Sequence, residues 1–228
     1  MREYTVERTA LNCKWTFDRM LPALPGPGSP QFPKLVKDLH SFGISPADVV
    51  VDAPTNKLSD LVLMIGLLER RVIVRITAEL FELNVNSLFE GDDPHLISIA
   101  GAVFSALSEI DADSRKGIAL IRSTTHLSLN PQDLNQILAE HLSGRIAGLE
   151  PETIVYRVSL PKMAKGEDVR LVFSKSVVFD NSLFVDISTN YSHVEDLTDL
   201  TEQANLTFEA ALGLLGLREK SDEKGERI

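Results

Sequence analysis

The chain has 228 residues, 43% hydrophobic and 25% charged, with a formal net charge of −10. That is enough apolar material for a real core, which excludes disorder for all but the ends, and the sign of the charge works against nucleic acid and anionic membrane surfaces as partners. No window approaches the roughly 18 apolar residues of a membrane span, Met1-Arg2-Glu3-Tyr4-Thr5 lacks the apolar core of a signal peptide, and a lone Cys13 closes no internal disulfide, so a reducing cytoplasm is the expected compartment.

Residues 3–18 read as a strand, because Leu11, Cys13, Trp15 and Phe17 alternate with Asn12, Lys14, Thr16 and Asp18. One face is then buried and the other wet, as in an antiparallel sheet. The segment 21–33 holds five prolines and two glycines and reads as a loop. A short helix follows over 35–42, closed by Gly43. Strands are expected at 48–53, 60–68 and 72–83, with Glu69-Arg70-Arg71 as a hairpin turn between the last two. Leu96, Ala100, Val103, Leu107 and Ile110 then recur at helical spacing behind Asp92-Asp93-Pro94, a helix start with acids at the positive end of its dipole.

The second half repeats this grammar. Residues 117–129 read as a strand, and Asn130-Pro131 opens a helix that buries Leu134, Leu138 and Leu142 and ends near Gly148. Strands follow at 153–160, 168–179 and 182–191, joined by Lys162 to Gly166 and by an Asp180-Asn181 hairpin. A closing helix over about 196–217 carries Leu197, Leu200, Ala204, Phe208, Ala211, Leu212 and Leu215 on one stripe.

Short echoes run in the same order through the two halves. Pro46-Ala47-Asp48-Val49 is matched by Pro151-Glu152-Thr153-Ile154, and Asp60–Ile65 by Asp168–Phe173. Val74-Arg75-Ile76-Thr77 is matched by Val185-Asp186-Ile187-Ser188. The expected fold is therefore α+β. It is two tandem β-α-β-β-β-α units with a mainly antiparallel sheet backed by helices on one face. The units span residues 1–112 and 113–218, and 219–228 form a disordered tail.

Chemistry-bearing motifs are sparse. No pair among His40, His95, His126, His141 and His193 has zinc-site spacing, and Glu90-Gly91-Asp92-Asp93 lacks the alternating ligands of a calcium loop. No phosphate loop or nucleophile elbow occurs, and Cys13 points to the core side as an inert thiol. No catalytic residue, metal or cofactor is assigned. His126 in Thr124-Thr125-His126-Leu127-Ser128 would serve as a general base if a carboxylate such as Asp186 oriented it. The plainer reading is a polar residue on a wet sheet face. His126, Asp186 and Arg122 are the candidate lining of a polar cleft. Arg70 and Arg71 at a hairpin tip, Met64 on a strand apolar on both faces, and Phe32 in the Pro-rich loop are the interface candidates.

Three stretches carry a resemblance: Ala10–Phe17, Gly117–Arg122, and Leu183–Ile187 followed by the last helix. In order and spacing the chain resembles a sporadically distributed bacterial family of duplicated α+β proteins of about this length. This sequence departs from that pattern by lacking an aromatic beside Arg122. The architecture is also similar to the bacterial export chaperone fold. A motif-poor, acidic, duplicated chain with paired hairpins suits a non-enzymatic protein- or peptide-binding module, chaperone-like or part of an assembly; the hairpin over 60–83, apolar on both faces, favours self-association as a homodimer, and the net charge of −10 disfavours nucleic acid and membrane as partners. The competing expectations are an enzyme or small-molecule binder with a cleft between the two units, and a structural subunit of a larger assembly.

Overall fold

A computed structural model describes residues 2–53, 57–141, 153–158, 167–192 and 196–220, with 153–158 and 167 as backbone. The protein is α+β, with a mostly antiparallel sheet and four α-helices among the described residues. The expected helix end near Gly148, the Lys162–Gly166 connection, strand residues 159–160 and the tail from 221 onward lie outside the described residues.

The chain forms two compact units. One comprises Leu11–Ile121 with Asn190–Glu202; the other comprises Met1–Ala10, Arg122–Thr189 and Gln203–Ile228. Strands β1 (Arg2–Phe17), β6 (Gly117–Ser128) and β9 (Ser182–Ser192) and helix α4 (Leu197–Leu214) contribute residues to both.

In the first of these units β1 is followed by α1 (Phe32–Leu39), then β2 (Val49–Asp52), β3 (Val62–Leu67), β4 (Val72–Ile76), β5 (Leu80–Val85) and α2 (Asp93–Ile110). The strand order is β2-β3-β4-β5-β1, with antiparallel neighbours throughout. Alternation decides the faces. Leu63, Ile65 and Leu67 on β3, and Val72, Val74 and Ile76 on β4, are buried, as are Trp15 and Phe17 on β1. Leu35 and Leu39 of α1, and Ile99, Val103, Phe104 and Leu107 of α2, are buried in the same unit. Phe104 is the centre of an aromatic set, 5.0 Å from Trp15 and 5.3 Å from Phe81, both edge-on.

Two local expectations change. The helix over 35–42 begins earlier, at Phe32, because Pro33 fits the first turn, where an amide has no intrahelical partner. It then tightens into a 3₁₀ turn over His40–Phe42 and stops at Gly43, whose φ is 76°. The single strand expected over 72–83 is two strands. The Thr77 hydroxyl accepts the amides of Glu79 and Leu80 at 3.2 and 3.1 Å, and the Thr77 amide donates to the Leu80 carbonyl, so the chain reverses there. The first half thus has four strands between its helices, where three were expected.

The β3–β4 turn carries three successive non-glycine residues at positive φ, Leu68, Glu69 and Arg70. Such residues are strained, and their neighbours hold them. The Leu68 amide donates to the Phe42 carbonyl, Arg70 pairs with Asp48 at 2.9 Å, and Arg71 pairs with Asp92 and donates to the Ser87 carbonyl. Burial opposes ionisation of Asp92, but Arg71 and the Phe89 amide outweigh it and hold the carboxyl below its ordinary range.

In the second unit β6 leads into α3 (Pro131–His141), β7 (Thr153–Val158), β8 (Glu167–Lys175), β9 (Ser182–Ser192), α4 and the short β10 (Leu217–Glu219). The order is β1-β6-β9-β8-β7, and β10 lies parallel to β1. Asn130 caps α3 by accepting the Gln132 amide at 2.9 Å, as its sequence predicts. Leu134 and Ile137 of α3, with Ala211 and Leu212 of α4 and Leu215 just beyond its end, share a core with Leu127, Phe173, Leu183, Val185 and Ile187. That core covers one face of the strands. The residues between these on β6 and β9 therefore point to the other face, and this is where the polar candidates sit.

Candidate functional site

β6 and β9 are neighbours, so the alternation that buries Leu127, Val185 and Ile187 turns Arg122, His126, Phe184 and Asp186 to the opposite face. The three residues expected to line a polar cleft do share one surface. Their pairing differs from the catalytic arrangement considered for them.

Asp186 is 8% exposed, and Arg122 grips it through two bonds, Nε to Oδ1 at 2.9 Å and Nη2 to Oδ2 at 2.8 Å. The fork fits the carboxylate, which raises the Arg122 pKa further above its ordinary value. Asp186 is thus committed to Arg122, and no hydrogen bond links it to His126 among the described residues. Replacing Arg122 by alanine strands a nearly buried carboxylate; the expected loss is about 2 kcal/mol of folding stability in a denaturant titration. Asp186→Asn alongside Arg122→Ala should recover part of it, because no charge is then left buried.

His126 instead meets the turn between β8 and β9. Its Nδ1 lies 2.9 Å from the Ser176 hydroxyl, and its ring contacts Phe179 at 5.0 Å and Phe184 at 5.2 Å. Burial and then the Arg8 charge lower its pKa below the ordinary 6.5. A Ser–His pair invites comparison with a nucleophile and its base, but the surroundings of Ser176 argue otherwise. The residue is 7% exposed, and its oxygen accepts the amides of Val178 and Phe179 at 3.1 and 3.0 Å. Both lone pairs of the oxygen are engaged, so none is free for attack. Ser176 is a turn residue, and His126 fastens that turn.

The turn presents apolar side chains outward. Val177 is wholly exposed and Val178 is 63% exposed, while Phe179 folds back on His126. Asn181, at φ 52°, ends the reversal, and its carbonyl accepts the Leu129 amide at 3.1 Å. Sequence reasoning read 168–179 as one strand and missed this site. Two adjacent valines argue for a strand. The available signal was Ser176, a residue type that stops a ladder by capping the amides after it.

The interface candidates fare differently. Arg70 and Arg71 both pair with acids of their own unit, Asp48 and Asp92. Phe32 is half-buried at the start of α1. Met64 is half-buried on the open face of β3, opposite Val50 on one side and Arg75 on the other. Polar side chains of the neighbouring strands lie on the same sheet. Arg75 reaches Glu82 at 3.4 Å, and Asn12 donates to Glu82 and Asn84. Cys13 is partly buried, and burial pushes its thiol up to about 12, so it carries no thiolate at neutral pH.

The sequence matches no protein-family model and no curated protein. Among the described residues no three His, Cys, Asp or Glu side chains converge as metal ligands. No described helix is long and apolar enough to cross a membrane.

Proposed function

We propose that the chain is a non-enzymatic protein- or peptide-binding module, chaperone-like or part of an assembly, whose docking surface is the β8–β9 turn. One observation carries this reading: Val177 and Val178 stand in solvent on a turn that Ser176 and His126 hold in a fixed shape. Adjacent exposed apolar side chains on a pre-organised backbone lose little entropy when a partner covers them. The partner that fits is an apolar segment flanked by basic residues, because a chain of net charge −10 attracts positive partners and repels nucleic acid.

Two further points belong to the same reading. The halves derive from one duplicated unit. What supports this is element order: each half runs long strand, helix, strands, helix, and in each the last strand before the second helix lies beside the long one. By that order β5 corresponds to β9, β4 to β8 and β3 to β7. The sequence echoes pair β3 with β8 and β4 with β9, one strand out of step. The working compartment is a reducing cytoplasm.

A peptide-display selection tests the docking surface. Wild-type protein is expected to enrich peptides that combine apolar and basic residues, and Val177→Asp with Val178→Asp to enrich none at an unchanged melting temperature. Equal affinity of the double variant for the selected peptides would overturn the proposal.

A further inference from the structure

We propose that the β8–β9 turn is a proton-operated latch: neutral His126 accepts the Ser176 hydroxyl and clasps the turn, and protonation of the ring lets it go. As a control on binding this rests on the docking reading above; as a property of the turn it stands on geometry alone.

The geometry fixes who donates. Ser176 Oγ accepts the amides of Val178 and Phe179, at 3.1 and 3.0 Å, which uses both of its lone pairs. Its remaining function is the hydroxyl proton, and His126 Nδ1 lies 2.9 Å away. The ring must therefore present a lone pair at Nδ1 and carry its proton on Nε2. Protonation puts an N–H at Nδ1, facing an oxygen that has no vacant acceptor site. Either the imidazolium displaces one of the two amides or the ring swings away. Both routes undo the turn, because the same ring packs edge-on against Phe179 at 5.0 Å, within the turn, and against Phe184 at 5.2 Å on β9.

The surrounding charges do not rescue the imidazolium. Arg8 on β1 acts against it. Arg122, on its own strand, is taken by Asp186 of β9, so that carboxylate is already spoken for. Lys175 and Asp180, on either side of the turn, are exposed, and water screens their charges. Burial first and Arg8 second lower the pKa of His126 from 6.5. The fold thus favours the neutral ring. The clasp is complete above the unfolded value of 6.5 and is lost as pH falls from there through the lower folded value.

Long-range proton–nitrogen NMR spectra of the whole chain, with amide exchange followed against pH, test the latch. The expected result is an Nε2–H tautomer at pH 7.5 and a His126 midpoint below 6.5. Protection of the Val178 and Phe179 amides, corrected for intrinsic exchange, should fall about tenfold across that midpoint. His126→Phe keeps a ring between the two phenylalanines and should make that protection independent of pH. Ser176→Ala should move the His126 midpoint upward and leave both amides unprotected at every pH. An Nδ1–H tautomer, a midpoint at or above 6.5, or a His126→Phe protein with the same pH-dependent loss would overturn the latch. The two ideas fail separately. Spectra as expected with no peptide selected would refute the docking reading and support the latch; peptide binding with pH-independent turn amides would do the reverse.

Discussion

Replacing Gly117 by alanine is expected to destabilise the protein by about 3 kcal/mol or more, at the upper end of overpacking effects. Gly117 opens β6 where it passes close to β1. A Cβ built on it would lie 2.1 Å from the Thr16 carbonyl oxygen and 3.0 Å from Trp15 Nε1. The first contact is with backbone, which cannot rotate aside. The φ of 156° is also one that side chains rarely adopt. Trp15 is 2% exposed, and its Nε1 has no hydrogen-bond partner among the described residues. The site therefore already holds an unsatisfied donor and has little tolerance left. Denaturant unfolding of Gly117→Ala checks this; a loss under about 1 kcal/mol would mean that the two strands can part without penalty.

Phe104→Ala is expected to cost about 3–5 kcal/mol, a large share of the 5–15 kcal/mol that holds a typical domain together. The ring is 2% exposed on the inner face of α2 and meets both Trp15 and Phe81 edge-on. Truncation removes its burial and both ring contacts, and leaves a cavity between helix and sheet that their regular backbones cannot close. Phe104→Leu keeps much of the volume and should cost less than half as much. Thermal and chemical melts of the pair decide it; equal losses would show that ring geometry contributes most and volume little.

Periodicity made much of this legible. The alternation of Trp15 and Phe17 in β1, and the stripe of Leu96, Ala100, Val103 and Leu107 in α2, each identify a buried face, because burial is what a period of two or 3.6 records. Asn130 and Gly43 were readable for a similar reason: their effect is exerted on backbone within one turn. Other features were less accessible. The reversal at Thr77 and the clasp at Ser176 depend on one hydroxyl each, inside runs of β-branched residues that favour a strand. The Arg122–Asp186 pair joins residues 64 positions apart, which is a consequence of strand order. Sequence alone proposed His126 and Asp186 as partners. Strand neighbourhood brought both to one face, and then the better fit of a guanidinium to a carboxylate took Asp186 away. Histidine was left to the turn that no periodicity announces.

The most direct test of the docking surface is an amide-shift titration of isotope-labelled protein with the tightest display-selected peptide. The expected result is shift changes concentrated at residues 176–181, with His126 and Phe184 as the flanking responders, and no saturable change in the Val177→Asp, Val178→Asp protein. Saturable shifts centred on the open face of β2 and β3 around Val50 and Met64, with residues 176–181 unmoved, would contradict it.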